Sequence, residues 1–225
     1  MFGKMSTTPI LQAKNIHKAY SDIEVLKGID MVVNTGEIVS VVGASGAGKS
    51  TLLHILGSLD KADDGQIIIK GQIIDDLSRN QLAGFRNSQI GFVFQFHNLL
   101  PEFTALENVC IPGYIGNRKQ KEVEARADEL LNLLGIGDRV HHKPSQLSGG
   151  EQQRTAVARA LINNPSIVFA DEPSGNLDSA SADELHKLFF DLRTSMNISF
   201  VIVTHNQALA AMADRKLTIE DGKIV

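Results

Sequence analysis

The octet Gly43-Ala44-Ser45-Gly46-Ala47-Gly48-Lys49-Ser50 satisfies the pattern G-x-x-x-x-G-K-[ST] in full. Glycines let a backbone curl until successive N–H groups face one anion. A helix beginning there, as Thr51-Leu52-Leu53-His54-Ile55-Leu56 suggests, adds positive potential at its N-terminus. Lys49 supplies a full charge suited to β- and γ-phosphates, and Ser50 a hydroxyl suited to Mg²⁺. An ordinary glycine-rich turn requires neither the Lys-Ser pair nor the strand and helix signals on either side.

A second group of residues complements the first. Val168-Phe169-Ala170-Asp171-Glu172 places two carboxylates at the end of an apolar run. Open α/β sheets bind ligands at the carboxyl ends of their strands. Asp171 there could hold Mg²⁺ through water, and Glu172 could polarise an attacking water. An Asp-Glu pair alone is more often a solvated turn. The apolar run before it, Pro173 after it and the glycine-rich octet upstream favour the site.

The elements that must position these groups are legible as short apolar runs alternating with helical segments. Ile38–Val42, Ile90–Phe94, Ile167–Ala170 and Phe200–Val203 are continuous apolar strands of the kind found in a parallel sheet covered on both faces. Ile29–Val33 and Gln66–Gly71, with turn signals at Asn34-Thr35-Gly36 and Asp63-Asp64-Gly65, predict an antiparallel β portion. No buried strand is expected between about 98 and 146. Lys119–Leu134 carries Val123, Ala127, Leu130, Leu131 and Leu134 at helical spacing, and Ser179–Met196 is a second amphipathic helix. Ser148, Gly149 and Gly150 precede a helical run, Glu151 to Leu161, that Ser148 can cap. The fold class is α/β, with a mostly parallel sheet, an antiparallel β portion and a helical subdomain. One domain is expected over 1–225, its helical insertion covering about 98–160.

Composition narrows the setting. Apolar residues make up 43% of the 225, enough for a sizeable core. The net charge of −4 does not suggest a nucleic-acid partner. Cys110 is the only cysteine, so no intrachain disulfide can form, as suits a reducing cytoplasm. His141-His142 reads as a solvated pair rather than a metal ligand. Met1 to Pro9 lacks the apolar segment of a secretory leader, and no run approaches the ~20 residues of a spanning helix. Any membrane role is expected to come through a separate chain.

With both halves of the site located, Leu147-Ser148-Gly149-Gly150-Glu151-Gln152-Gln153-Arg154 identifies a likeness. It resembles the signature of the ATP-binding cassette (ABC) ATPases, and the match runs from about Leu11 to the C-terminus with motifs in that family's order. The resemblance implies a P-loop NTPase core that hydrolyses ATP with Mg²⁺. It implies nucleotide contacts from Gly43, Ser45, Gly46, Ala47, Gly48, Lys49, Ser50 and Thr51. Tyr20 falls where the family places an adenine-stacking aromatic; by itself it is equally a sheet-surface residue. Gln95 resembles the Q-loop glutamine, able to reach Mg²⁺ or water. Ser50, Gln95 and Asp171 are the implied metal ligands, and Glu172, His205 and Gln95 the catalytic set. Gly175-Asn176-Leu177-Asp178 matches the D-loop at a dimer seam. His205 matches the switch histidine. Ser148, Gly149 and Gly150 are implied to grip the γ-phosphate held by the opposite subunit of an ATP-dependent homodimer.

Gln95 to Val109 is similar to the Q-loop region of the lipoprotein-releasing (Lol-type) branch, as is Pro173 to Asp178, although Thr is commoner than Ser at 174. That likeness implies a peripheral subunit on the cytoplasmic side of the bacterial inner membrane. It would work beneath two integral membrane subunits and make no direct contact with the lipoprotein. Cell-division-type or export-type ATPases driving or regulating another envelope complex are the alternative. Phe96, Leu99, Leu100 and Phe103, interrupted by Pro101, either dock the membrane subunits or pack inside the helical insertion.

Overall fold

The computed structural model describes residues 8–225. The reading of a missing secretory leader therefore lies, for residues 1–7, outside the described residues. Among the described residues no helix is long and apolar enough to cross a membrane.

Two sheets organise the chain. The first joins β1 (Pro9–Tyr20), β2 (Ile23–Asn34), β4 (Asp64–Ile69) and β5 (Gln72–Ile73) in the order β2-β1-β4-β5, all antiparallel. The second contains β3 (Ile38–Gly43), β6 (Ile90–Phe94), β7 (Ile167–Asp171), β8 (Ser199–Val203), β9 (Arg215–Glu220) and β10 (Lys223–Ile224). Its order is β10-β9-β3-β8-β7-β6, parallel except for the β10 edge. β3, β7 and β8 are buried along almost their whole length, which explains their continuous apolar sequence.

The strand period of two splits the core into layers. Val39, Val41, Phe169, Val201 and Val203 pack with α1 (Lys49–Leu56) and the antiparallel sheet. Val168, Ala170, Phe200 and Ile202 face the opposite layer. That layer includes α5 (Gly149–Leu161) and α6 (Ser179–Met196), and its core runs on into α3 (Ala105–Ile115) and α4 (Gln120–Leu133). Val123, Ala127, Leu130, Leu131 and Leu134 are all buried there. α2 (Arg79–Gln89) precedes β6, and α7 (Gln207–Met212) follows β8.

Two local expectations need correction. Asp63-Asp64-Gly65 is not simply a turn, because Asp64 and Gly65 begin β4. Gly65 has φ +103°, and a Cβ there would sit 2.4 Å from the Asn15 carbonyl oxygen, so only glycine fits where β1 bulges toward it. His141 is exposed, but His142 is half-buried. Its carbonyl accepts the Ala105 N–H at 2.8 Å, tying the approach to the signature segment onto α3.

Candidate active site

β3 ends at Gly43 and α1 begins at Lys49, so the loop between them must reverse within a few residues. Close approach fixes two of its glycines. A Cβ on Gly43 would lie 2.3 Å from the Ile219 carbonyl oxygen, and one on Gly48, at φ +98°, 2.9 Å from Leu26. The Lys49 ammonium donates to the carbonyls of Gly43 (3.0 Å) and Ala44 (2.8 Å). The loop thus closes around its own cation.

β7 carries the acidic pair to the same edge. The Ser50 hydroxyl donates to Asp171 Oδ1 at 3.1 Å. Burial pushes the Asp171 carboxyl above its ordinary range, against the opposing Ser50 bond. Glu172 follows at φ +46°, a costly conformation for a non-glycine residue and one concentrated at functional sites. Its N–H donates to Val203 O at 2.9 Å, and its Oε2 accepts the His205 N–H at 3.1 Å. A cavity of about 450 Å³ is lined by Tyr20, Ser45, Gly46, Gly48, Lys49, Ser50, Thr51 and Glu172 together with Val25 and Val203. The structure therefore brings together groups drawn from β1, the glycine-rich loop, α1 and the end of β7.

Tyr20 is held from behind. Its hydroxyl donates to Asp60 Oδ2 at 2.6 Å, and the Lys18 ammonium lies 5.1 Å from the ring centroid. The bond from Tyr20 holds the Asp60 carboxyl below its usual range. Asp60 has no sequence signature, since it acts on a residue 40 positions away.

A second cluster adjoins the first. Gln95 follows Phe94, whose register partner is Asp171, so it stands at the same sheet edge. Gln95 Nε2 donates to Asn176 Oδ1 and the Asn176 amide returns a bond to Gln95 O, both at 3.1 Å. Ser148 caps α5 as expected: its hydroxyl accepts the Glu151 N–H at 3.3 Å, while Glu151 Oε2 accepts the Ser148 N–H at 2.7 Å. Asp178 caps α6 through Ser181 N at 2.9 Å. Ideal Cβ atoms on Gly149 and Gly150 would sit 3.6 Å from Leu177 and 3.4 Å from Ser181 Oγ. Ser148, Gly149, Gly150 and Asp178 thus form one surface, and none of them lines the Lys49 cavity.

The loop after Gln95 is apolar and exposed. Phe96 is 74% exposed, Leu100 43% and Phe103 41%, with Leu99 partly buried. Full burial inside the insertion is thereby excluded for these three side chains. The loop's backbone is nonetheless firmly held. Fully buried Asn108 donates to the carbonyls of Leu100, Phe103 and Thr104 and accepts the Leu100 N–H. Arg159 of α5 donates to the carbonyls of His97 (2.6 Å) and Asn98 (2.5 Å), both in left-handed conformation. A groove of about 480 Å³ beside it is lined in part by Phe92, Phe94, Ile115 and Arg159.

This arrangement has known counterparts. The profile of the family described as ABC transporter matches residues 26–175. The lipoprotein-releasing system ATP-binding protein LolD of Cytophaga hutchinsonii is 62% identical, covering 96% of this chain and 99% of that protein. LolD of Porphyromonas gingivalis is 56% identical, covering 95% and 97%. Among solved structures, a dimeric post-hydrolysis state of the ATP-binding cassette MJ0796, bound to ADP and Pi, is 40% identical. It has a TM-score of 0.87 and covers 95% of this chain and 96% of that one. The protein cbiO1 from Clostridium perfringens, part of the ABC transporter complex cbiONQ, has a TM-score of 0.87 at 28% identity, covering 96% and 87%.

Proposed function

The chain belongs to the ABC transporter family and is an ATPase, and from that premise we propose that it powers lipoprotein release from the bacterial inner membrane. It would do so from the cytoplasmic side, as an ATP-dependent homodimer beneath separate integral membrane subunits. The observation that carries this reading is the 62% identity to a lipoprotein-releasing ATPase along 96% of the chain. The lipoprotein itself would meet only the membrane subunits.

The site geometry supports a division of labour. Lys49 would exchange its two carbonyl partners for β- and γ-phosphate oxygens, and the loop N–H groups and the start of α1 would hold the remaining charge. Tyr20, oriented by Asp60, would stack on the adenine. Ser50 and Asp171 form an oxygen pair on a desolvated carboxylate, a fit for a hard divalent cation, with Gln95 a further oxygen donor. Mg²⁺ bound there would offset charge on the phosphates. Glu172 would accept a hydrogen bond from the attacking water and orient it, and His205 would hold that carboxylate and meet the γ-phosphate. Phosphoryl transfer depends mainly on such positioning and charge compensation.

Ser148, Gly149 and Gly150 stand apart from the cavity of their own subunit, which supports their service to the nucleotide of a second copy. The exposed Phe96, Leu100 and Phe103 and the groove beside them would receive the membrane subunits. Affinity purification from solubilised membranes, followed by identification of the integral partners, tests the proposal. Membrane subunits with large periplasmic domains are expected. Septal proteins would point to a cell-division role, and ribosomes or DNA would overturn the transport reading.

A further inference from the structure

His186 has no place in the chemistry described so far, yet it is an imidazole in the core. It lies on α6, 1% exposed, and its Nε2 is 3.0 Å from the hydroxyl of Ser174, itself 8% exposed. Pro173 and Ser174 are the buried residues of the segment joining Glu172 to α6, whereas Gly175, Asn176 and Asp178 are exposed. Among the described residues, the Ser174–His186 bond is therefore the one side-chain hydrogen bond by which this segment is fastened into the interior. Either tautomer completes it, with Nε2 accepting the serine O–H or donating to its oxygen.

What the bond fastens is the link between the two halves of the site. Glu172, two residues earlier, is held at φ +46°. The Gly175 N–H returns to Glu172 O at 3.0 Å, and the Leu177 N–H to Ser174 O at 3.2 Å. Asn176 is bonded to Gln95 on both sides of its amide, and a Cβ on Gly175 would sit 2.9 Å from Gln95 Nε2. Moving Ser174 would displace the carboxylate on one side and the Gln95 partner on the other. Strained backbone of this kind persists only where surrounding contacts over-determine it.

We propose that His186 is a positioning residue for ATP hydrolysis, acting through Ser174 to fix the turn that holds Glu172 and Asn176. Its burial lowers the imidazole pKa and keeps the ring neutral, which suits a paired group enclosed in the core. The Lys49 loop and Tyr20 do not touch this pair, so nucleotide affinity should not depend on it.

The test is steady-state ATPase kinetics on the full chain, with melting temperature recorded for each variant. His186→Leu and Ser174→Ala should each lower kcat about tenfold with KM for ATP within about twofold, and the double variant should lose no more than either single one. His186→Gln, whose amide reaches the position of Nε2, and Ser174→Thr, which keeps the hydroxyl, should recover most of the rate. A merely structural role predicts a lower melting temperature with normal kcat per folded molecule. That result, or additive losses in the double variant, would overturn the proposal. Should His186→Leu fail to fold, the contrast between Ser174→Ala and Ser174→Thr decides, and equal kcat in those two rejects it.

Discussion

His205 Nδ1 stands 2.9 Å from Glu172 Oε2, and the same oxygen accepts the His205 backbone N–H at 3.1 Å. One carboxylate oxygen is thus tied twice to the residue just beyond β8. Glu172 also gives its own N–H to Val203 on that strand. The carboxylate is oriented before any substrate arrives, so its removal should affect the chemical step far more than binding.

Glu172→Gln should retain ATP binding while turnover falls roughly 100-fold or more, the range for loss of a positioned base. An ATP-bound dimer should then accumulate in sizing chromatography with ATP and Mg²⁺. A variant that stays monomeric at saturating nucleotide would contradict the two-copy arrangement.

Lys49→Ala should weaken nucleotide binding by about 10- to 100-fold, the equivalent of losing hydrogen bonds from a charged donor. Turnover should disappear. Equilibrium titration with a fluorescent ATP analogue measures the first effect. Undiminished hydrolysis would remove Lys49 from the site.

Leu100→Ser and Phe103→Ser should leave melting temperature and basal ATPase near wild type, because neither side chain belongs to the buried core. Recovery with membrane subunits should collapse. Destabilisation accompanied by normal partner recovery would show that the loop serves packing instead.

The signature cap gives a pH signature. The Ser148 N–H, chiefly, holds the Glu151 carboxyl below its ordinary value. A depressed carboxyl stabilises the fold fully above the unfolded value of about 4.3, and this contribution is lost as pH falls through the lower folded value. Glu151→Gln should therefore melt below wild type at neutral pH, and the gap should narrow as pH falls below the unfolded carboxyl value of about 4.3. Thermal melts across that range provide the check. A gap independent of pH would show that the charge on Glu151 contributes nothing.

The parts of the fold legible from sequence are those whose signal is local. β6 runs from Ile90 to Phe94, the same apolar run read from sequence, and β3, β7 and β8 extend theirs by one residue at an end. The glycine-rich loop and the Ser148 cap carry their patterns within a few residues. β1 escaped notice because Asn15, in left-handed conformation, and shifts around Ile16 interrupt its alternation. α2 buries no side chain fully and sets only Leu82 and Phe85 against the core, too short an apolar stripe to mark it beside its Ser78–Gln81 capping box. α3 falls within the expected helical insertion, but Pro112 in its interior interrupts the pattern that would have bounded it. Asp60, Asn108, Arg159 and His186 act through partners elsewhere in the chain or, for Asn108, through a loop backbone. Side-chain type alone could not disclose those contacts.

At Gly91 a Cβ would come within 2.6 Å of the Ala160 carbonyl oxygen, so β6 and the far end of α5 touch backbone to backbone. No side chain separates the two backbones, and Val168 Cγ2 lies 3.0 Å from the same point, so the joint would act as a fulcrum. With a rise of about 1.5 Å per residue, the arm from Ala160 to Ser148 is roughly 18 Å long. A tilt of only about 10° at Gly91 would swing the signature tip by roughly 3 Å, about the length of one hydrogen bond. A bulkier residue at 91 would shim the fulcrum and mis-aim that tip, although Gly91 does not line the Lys49 cavity.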